Sequence, residues 1–223
     1  PPASPRHDRQ SPTDSRPRLC PPAGGERGAK GIAMQRMFWM DLEMTGLDPE
    51  VCTIIEVAVV ITDLELTPLE EYSQVVFQPP AALAVMDAWC VKTHGDSGLI
   101  GEIPCGKPLA EVETELLALV DRHYPVNARV VLCGNSIHQD RRFIDRYLPR
   151  LAARLHYRMV DVSSFKELFR SRYGVQWEKS NNHRALQDTH ESIRELAGYL
   201  RYVVVPEAPA GSAGASSGGG DAE

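Results

Sequence analysis

Four acids and one histidine in this chain have the types and spacings that suit cation binding and proton transfer. Asp41 and Glu43 stand two apart in Phe38-Trp39-Met40-Asp41-Leu42-Glu43-Met44. Along a strand, residues i and i+2 share a face, so the two carboxylates lie side by side while Met40, Leu42 and Met44 face the other way. Such a pair repels unless something cationic sits between its members; a solvated strand face is the plain alternative. Asp140 falls on the apolar stripe of a helix over 136–151, with Ile137, Ile144, Tyr147, Leu148 and Leu151, at about 100° per residue. An unpaired carboxylate buried there is costly. Asp140 must therefore be paired, hydrogen-bonded or metal-bound, or act as an acceptor at the helix start. Asp188 lies about 130° from the centre of the last helix's apolar stripe, an exposed place that the helix dipole alone would explain. His183 follows Ser180-Asn181-Asn182, a capping run that enters that helix. By itself it fits a plain surface histidine.

The elements that must carry these residues alternate along the chain. A strand over 38–44 ends in the turn Thr45-Gly46-Leu47-Asp48-Pro49, and the β-branched run 53–62 has the near-continuous apolarity of a central strand. A third strand is predicted over 74–78, and short connections favour antiparallel pairing of the three. Helices are predicted at 83–89 and 109–123, a buried strand at 130–133 and a helix at 139–148. A strand over 158–162 and a helix over 164–172 follow. The last helix, 185–202, places Leu186, Ile193, Leu196, Ala197 and Leu200 on one stripe. Three strands and then strands alternating with helices imply an α/β fold, a mixed five-stranded sheet flanked by helices.

Composition sets limits on function. A net charge of −6 does not suit a protein that grips long nucleic acid through a basic stripe. Any nucleic acid handled here should be a short piece in a local site. Five scattered cysteines with no C-x-x-C pair argue against a disulfide framework or structural zinc, and for reduced thiols inside a cell. No run approaches the roughly 18–20 apolar residues that cross a bilayer, so no membrane role is expected. Residues 1–33, with seven prolines and six basic against three acidic residues, are expected to be a disordered segment. The segment has no apolar h-region, and its arginines make it a candidate mitochondrial leader. Met34 stands where the folded part begins and is a candidate alternative start. Residues 206–223 read as a flexible tail. The domain expected between them, 34–205, holds 18 basic and 24 acidic residues and so carries the net charge alone.

Taken together the motifs are specific. The order is D-x-E on a first strand, an Asp at a later strand-to-helix junction, and H-x4-D opening the last helix. It resembles the DEDDh exonuclease superfamily. Within it, three longer stretches resemble the oligoribonucleases: Trp39-Met40-Asp41-Leu42-Glu43-Met44-Thr45-Gly46-Leu47, Cys133-Gly134-Asn135-Ser136-Ile137-His138-Gln139-Asp140-Arg141-Arg142-Phe143 and His183-Arg184-Ala185-Leu186-Gln187-Asp188. His156-Tyr157-Arg158 and Asp161-Val162-Ser163 add to the match, which runs over about residues 35–202. The stretch 172–180 departs from the family pattern and is shortened.

The resemblance implies a ribonuclease H-like fold, a homodimer, and 3′→5′ digestion of RNA oligonucleotides of about 2–5 nucleotides to nucleoside 5′-monophosphates. It assigns Asp41, Glu43, Asp140 and Asp188 as ligands. Two hard ions, Mg²⁺ or Mn²⁺, roughly 3.5–4 Å apart suit such a set, because carboxylate oxygen is their preferred donor. His183 would take the proton of the attacking water; the rival His190 matches no motif position. Leu47 would wedge between bases, with Trp89 and Tyr157 as stacking faces. Ser136, Arg158, Ser163 and Lys166 would cap the 5′ phosphate and limit substrate length. Tyr157 would reach the partner subunit's site. A cytoplasmic or mitochondrial location is expected from the reduced thiols and the arginine-bearing leader. The alternatives are a proofreading or tRNA-trimming relative that wants a longer basic groove, a catalytically dead oligonucleotide-binding module, and an acidic interaction protein.

Overall fold

Strand β1 (Met37–Met44) is the axis of the molecule, because its two faces feed two different cores. Phe38, Met40 and Leu42 enter the larger core, while Met37 and Trp39 enter a second core on the opposite side. Asp41 and Glu43 continue the second face beyond Trp39. Strand β2 (Ile54–Thr62) is buried along its whole length, as its apolar run predicts for a strand covered on both sides. It pairs antiparallel with β1 and with β3 (Pro68–Val75).

The chain then forms α1 (Pro80–Leu83), α2 (Ala88–Asp96), α3 (Leu99–Glu102), a 3-10 turn over Ile103–Cys105, and α4 (Leu109–His123). Strand β4 (Val130–Gly134) leads into α5 (His138–Tyr147) and α6 (Pro149–Ala152). Strand β5 (Leu155–Asp161) precedes α7 (Val162–Tyr173), and α8 (Ala185–Leu200) ends the fold. The sheet order is β3-β2-β1-β4-β5, with β4 parallel to β1 and β5 parallel to β4. It is a ribonuclease H-like α/β fold with a mixed five-stranded sheet. The larger core packs α4 and α5 residues such as Leu116, Val120, Phe143 and Ile144 under β1 and β2. The second core sets Val162 and Phe169 of α7 and Ile193, Leu196 and Tyr199 of α8 against Trp39 and Val60.

The computed structural model describes residues 36–177 and 183–204. The expected leader 1–33, the tail 206–223, Cys20, Met34 and the end of the 172–180 stretch lie outside the described residues. Among the described residues, no helix is long and apolar enough to cross a membrane. Cys52, Cys90, Cys105 and Cys133 are free thiols.

Three sequence expectations are corrected. The third strand is Pro68–Val75, not 74–78. It is an edge strand whose outer residues are exposed, so Glu70 and Glu71 are tolerated within it. Val76, part of the apolar signal, makes only an isolated bridge to Lys107. The helix expected at 83–89 is two helices, because Asp87 starts a new one by accepting the Cys90 N–H at 2.8 Å. The inward face of α8 is also broader than the apolar stripe. Leu200 is exposed, whereas Thr189, Glu191, Ser192 and Glu195 are buried.

Candidate active site

The carboxylates gather where the C-terminal end of β1 meets the first turn of α8. One oxygen from each of Asp41, Glu43 and Asp188 lies within 4.8 Å of the other two. Strand alternation delivers the first two side chains and the packing of α8 across β1 and β2 delivers the third. All three are half-buried. Asp188 therefore faces inward, not outward as its place opposite the apolar stripe suggests.

Asp140 reaches the same strand from the other side. β1 pairs with β4 only at Phe38 and Trp39 and runs on past it. The Leu42 N–H, beyond the last β4 partner, donates to Asp140 Oδ1 at 2.9 Å. Asp140 is 6% exposed, as its position on the apolar stripe predicts. Its oxygens fall outside the close trio. Gly134 permits this approach: a Cβ there would stand 2.8 Å from the Met40 carbonyl oxygen and 2.7 Å from Ile137 Cδ1.

These acids crowd one another. Burial first, then the charges of Asp188, Glu56 and Asp140, push Glu43 up to about 8 against the opposing pull of Arg184. Burial pushes Asp140 up to about 7, although the Leu42 N–H holds it down; Asp161 adds a smaller upward push. Such a site favours added positive charge. The donor set, all carboxylate oxygen with no thiolate, fits a hard divalent cation.

A cavity of about 550 Å³ opens beside Glu43, lined by Met44, Gly46, Leu47, Asp87, Trp89, Cys90 and His94. Leu47 and Trp89 are 65% and 60% exposed, so both apolar faces are available to a ligand. The turn that carries Leu47 is stitched by Thr45 N–H to the Thr53 carbonyl at 2.9 Å and Thr53 N–H to Thr45 Oγ1 at 3.0 Å. The His183 ring stands edge-on to Trp89 at 5.7 Å, and His183 lines a neighbouring cavity with Lys92, Thr93, Asp96, Ser97, Arg184 and Gln187. Its backbone is left-handed at φ 45°, a strained state for a non-glycine residue. His190 points elsewhere, to Glu71 at 3.1 Å.

Two of the predicted phosphate-cap residues, Ser136 and Ser163, meet at Asp161. Its Oδ1 accepts the Ser136 N–H at 2.9 Å, the Ser163 N–H at 3.0 Å and the Ser163 hydroxyl at 2.6 Å. Lys166 lies one helical turn beyond Ser163 on α7. Arg158 is turned toward its neighbour, donating to the Tyr157 hydroxyl at 3.0 Å with its guanidinium 5.4 Å from the ring. Tyr157 is 75% exposed on the edge strand β5.

Sequence reasoning missed three partners of the site. His94 is buried, and its Nε2–H donates to the Met44 carbonyl at 3.0 Å, which leaves Nδ1 facing Glu43 Oε2 at 3.9 Å. Burial holds His94 below the usual histidine range. Glu56 is 1% exposed near the start of β2, and Arg184 pairs with it. A carboxylate inside an otherwise apolar central run was the available signal.

This fold and this cluster define a nuclease domain, and the RNase_T exonuclease family matches residues 38–196. An oligoribonuclease from Paracidovorax citrulli is 46% identical over 173 residues, covering 75% of this chain and 89% of that protein. One from Francisella tularensis subsp. tularensis is 43% identical over 168 residues, covering 73% and 93%. The chain belongs to the oligoribonuclease family of exonucleases. Among solved structures, Exonuclease I from Methylocaldum szegediense aligns with a TM-score of 0.58 at 20% identity, over 74% of this chain. The zinc-bound E. coli ExoI–ssDNA complex aligns at 0.56 and 15% identity, over 75% of this chain. This chain spans 40% of each of those structures, and the likeness is one of fold.

Proposed function

We propose that this chain is a metal-dependent 3′→5′ exoribonuclease that degrades RNA of about 2–5 nucleotides to nucleoside 5′-monophosphates, using two divalent ions. The observation that carries it is the meeting of Asp41, Glu43 and Asp188 within 4.8 Å, with Asp140 anchored on the same strand. Family membership and the relatives named oligoribonuclease support the substrate class.

Asp41, Glu43, Asp140 and Asp188 would hold Mg²⁺ or Mn²⁺, which supply positive charge to the attacking and leaving oxygens of a phosphodiester. His183 takes the proton of the attacking water. Leu47 and Trp89 hold the terminal base in the cavity, where stacking contributes roughly 1–3 kcal/mol per base without reading sequence. Ser136, Arg158, Ser163 and Lys166 receive the 5′ phosphate. For that, the Ser163 hydroxyl leaves Asp161 and Arg158 swings off Tyr157. A homodimer would bring Tyr157 to the partner's site, and the protein would act inside the cell, in cytoplasm or mitochondrion. The catalytic domain would be residues 34–205.

The test is incubation of purified protein and Mg²⁺ with labelled 2-, 5- and 20-nucleotide RNAs, alongside EDTA and an Asp140→Ala control. Mononucleotides from the shortest substrates, absent with EDTA or the variant, are expected. Preference for the 20-mer would sink the short-RNA assignment, and no turnover in any lane would favour a binding module.

A further inference from the structure

Glu56 occupies an unusual place for a carboxylate. It lies near the start of the buried strand β2, directly opposite Glu43 in the β1–β2 register. Both of its oxygens are engaged from the start of α8. Oε1 accepts from Arg184 Nε at 3.1 Å and Nη2 at 2.8 Å; Oε2 accepts from Arg184 Nε at 3.2 Å and the Ala185 N–H at 3.0 Å. The other edge of the guanidinium reaches Glu102 on α3, Nη1 to Oε1 at 2.9 Å and Nη2 to Oε2 at 3.0 Å. One arginine is thus forked between two carboxylates from two different elements, a geometry that a planar guanidinium satisfies and an ammonium does not.

We propose that Arg184, held between Glu56 and Glu102, is a positioning residue that fixes His183 and Asp188 against the β1 carboxylates. His183 is the preceding residue, and its left-handed backbone persists only where neighbours over-determine it. Asp188 lies one turn past Ala185, whose N–H is capped by Glu56. Glu102 adds the segment that carries Trp89 and His94, since α3 directly follows α2. The clamp therefore ties the base-binding wall, the histidine and one cluster acid to the sheet at a single guanidinium. Electrostatically the pair cancels only in part: the charge of Glu56 pushes Glu43 up and the smaller effect of Arg184 pulls it back.

The activity readout rests on the exoribonuclease assignment above, whereas the exchange readout does not. Arg184→Lys keeps the charge and loses the fork. Backbone hydrogen exchange over 184–190, measured by mass spectrometry in EDTA, should rise in the variant while β1 and β2 stay as protected as in the wild type. On a 2-nucleotide RNA with saturating Mg²⁺, kcat should fall about 10–100-fold, the loss that a misplacement of about 1 Å brings. KM should stay within about threefold of wild type, less than 1 kcal/mol, and calorimetric Mn²⁺ affinity should fall by less than kcat, because Asp41 and Glu43 keep their places on β1. If Arg184→Lys does not fold, Glu102→Gln, at an exposed carboxylate, carries the same expectations at smaller amplitude. Unchanged exchange over 184–190 in the folded variant overturns the clamp. An Mn²⁺ affinity that falls as far as kcat also overturns it, because the loss would then be one of metal binding alone, with no part for the placement of His183. A wild type that turns over no RNA refutes the exoribonuclease assignment and leaves the exchange result to decide the clamp.

Discussion

The substitution Asp140→Asn should make the chelated protein more stable, and by an amount that depends on pH. Asp140 is almost wholly buried and takes the Leu42 N–H on one oxygen. Its pKa, pushed up to about 7 from 3.8 by burial, means that the folded protein holds a proton between these values while the unfolded chain has released it. Stability therefore falls as pH rises through that window, and the loss is complete just above the folded value. A shift of about three units at 1.36 kcal/mol each corresponds to about 4 kcal/mol. Roughly half is incurred by pH 5.5, so the step from pH 5.5 to pH 8 costs about 2 kcal/mol more. The amide side chain would keep an oxygen for the Leu42 N–H and remove the titration. Glu43 is pushed up in the same direction, but it titrates in both proteins and cancels to first order. Urea unfolding in EDTA should show the variant more stable at pH 8, with the gap smaller by about 2 kcal/mol at pH 5.5. Excess Mg²⁺ at pH 8 should reverse the order, because the wild type alone retains the full ligand set. A gap independent of pH, or a variant less stable at pH 8, would refute the claim that this carboxylate is held against its charge.

Other perturbations test the remaining parts. His183→Ala should lower kcat on a dinucleotide by about 10²–10⁴-fold with KM little changed, as steady-state kinetics will show. Trp89→Ala should weaken short-RNA binding by roughly 1–3 kcal/mol, read by fluorescence titration in Ca²⁺, and leave the urea midpoint near that of the wild type because the ring is exposed. Gly134→Ala places a methyl 2.8 Å from the Met40 carbonyl oxygen. The overpacking should cost about 1–3 kcal/mol in urea unfolding and lower activity by shifting α5 away from β1.

What the sequence discloses here depends on how local the physical cause is. The two faces of β1 follow from alternation, and the central place of β2 from its apolar run; both are properties of the strand itself. Asp140 was legible because a carboxylate on an apolar stripe has few resting places. Strand β3 was not, since an edge strand needs only one partner and carries charge freely. Helix α2 was hidden because it lies over a cavity and buries only Cys90 and His94, too few to mark a stripe. Asp188 was misplaced for a related reason. Helix α8 has two inward surfaces, one on the apolar core and one on the acid cluster, and hydropathy marks only the first. Glu56 was lost inside the β2 run, where its partner, 128 residues away, is a fact of tertiary structure.

The docking of α8 on β1 also sets a clock on the molecule. Asp41 and Glu43 are translated early and Asp188 late, so a nascent chain lacks the closed acid cluster until α8 emerges from the ribosome. The final helix is therefore the last step in assembling the acid cluster.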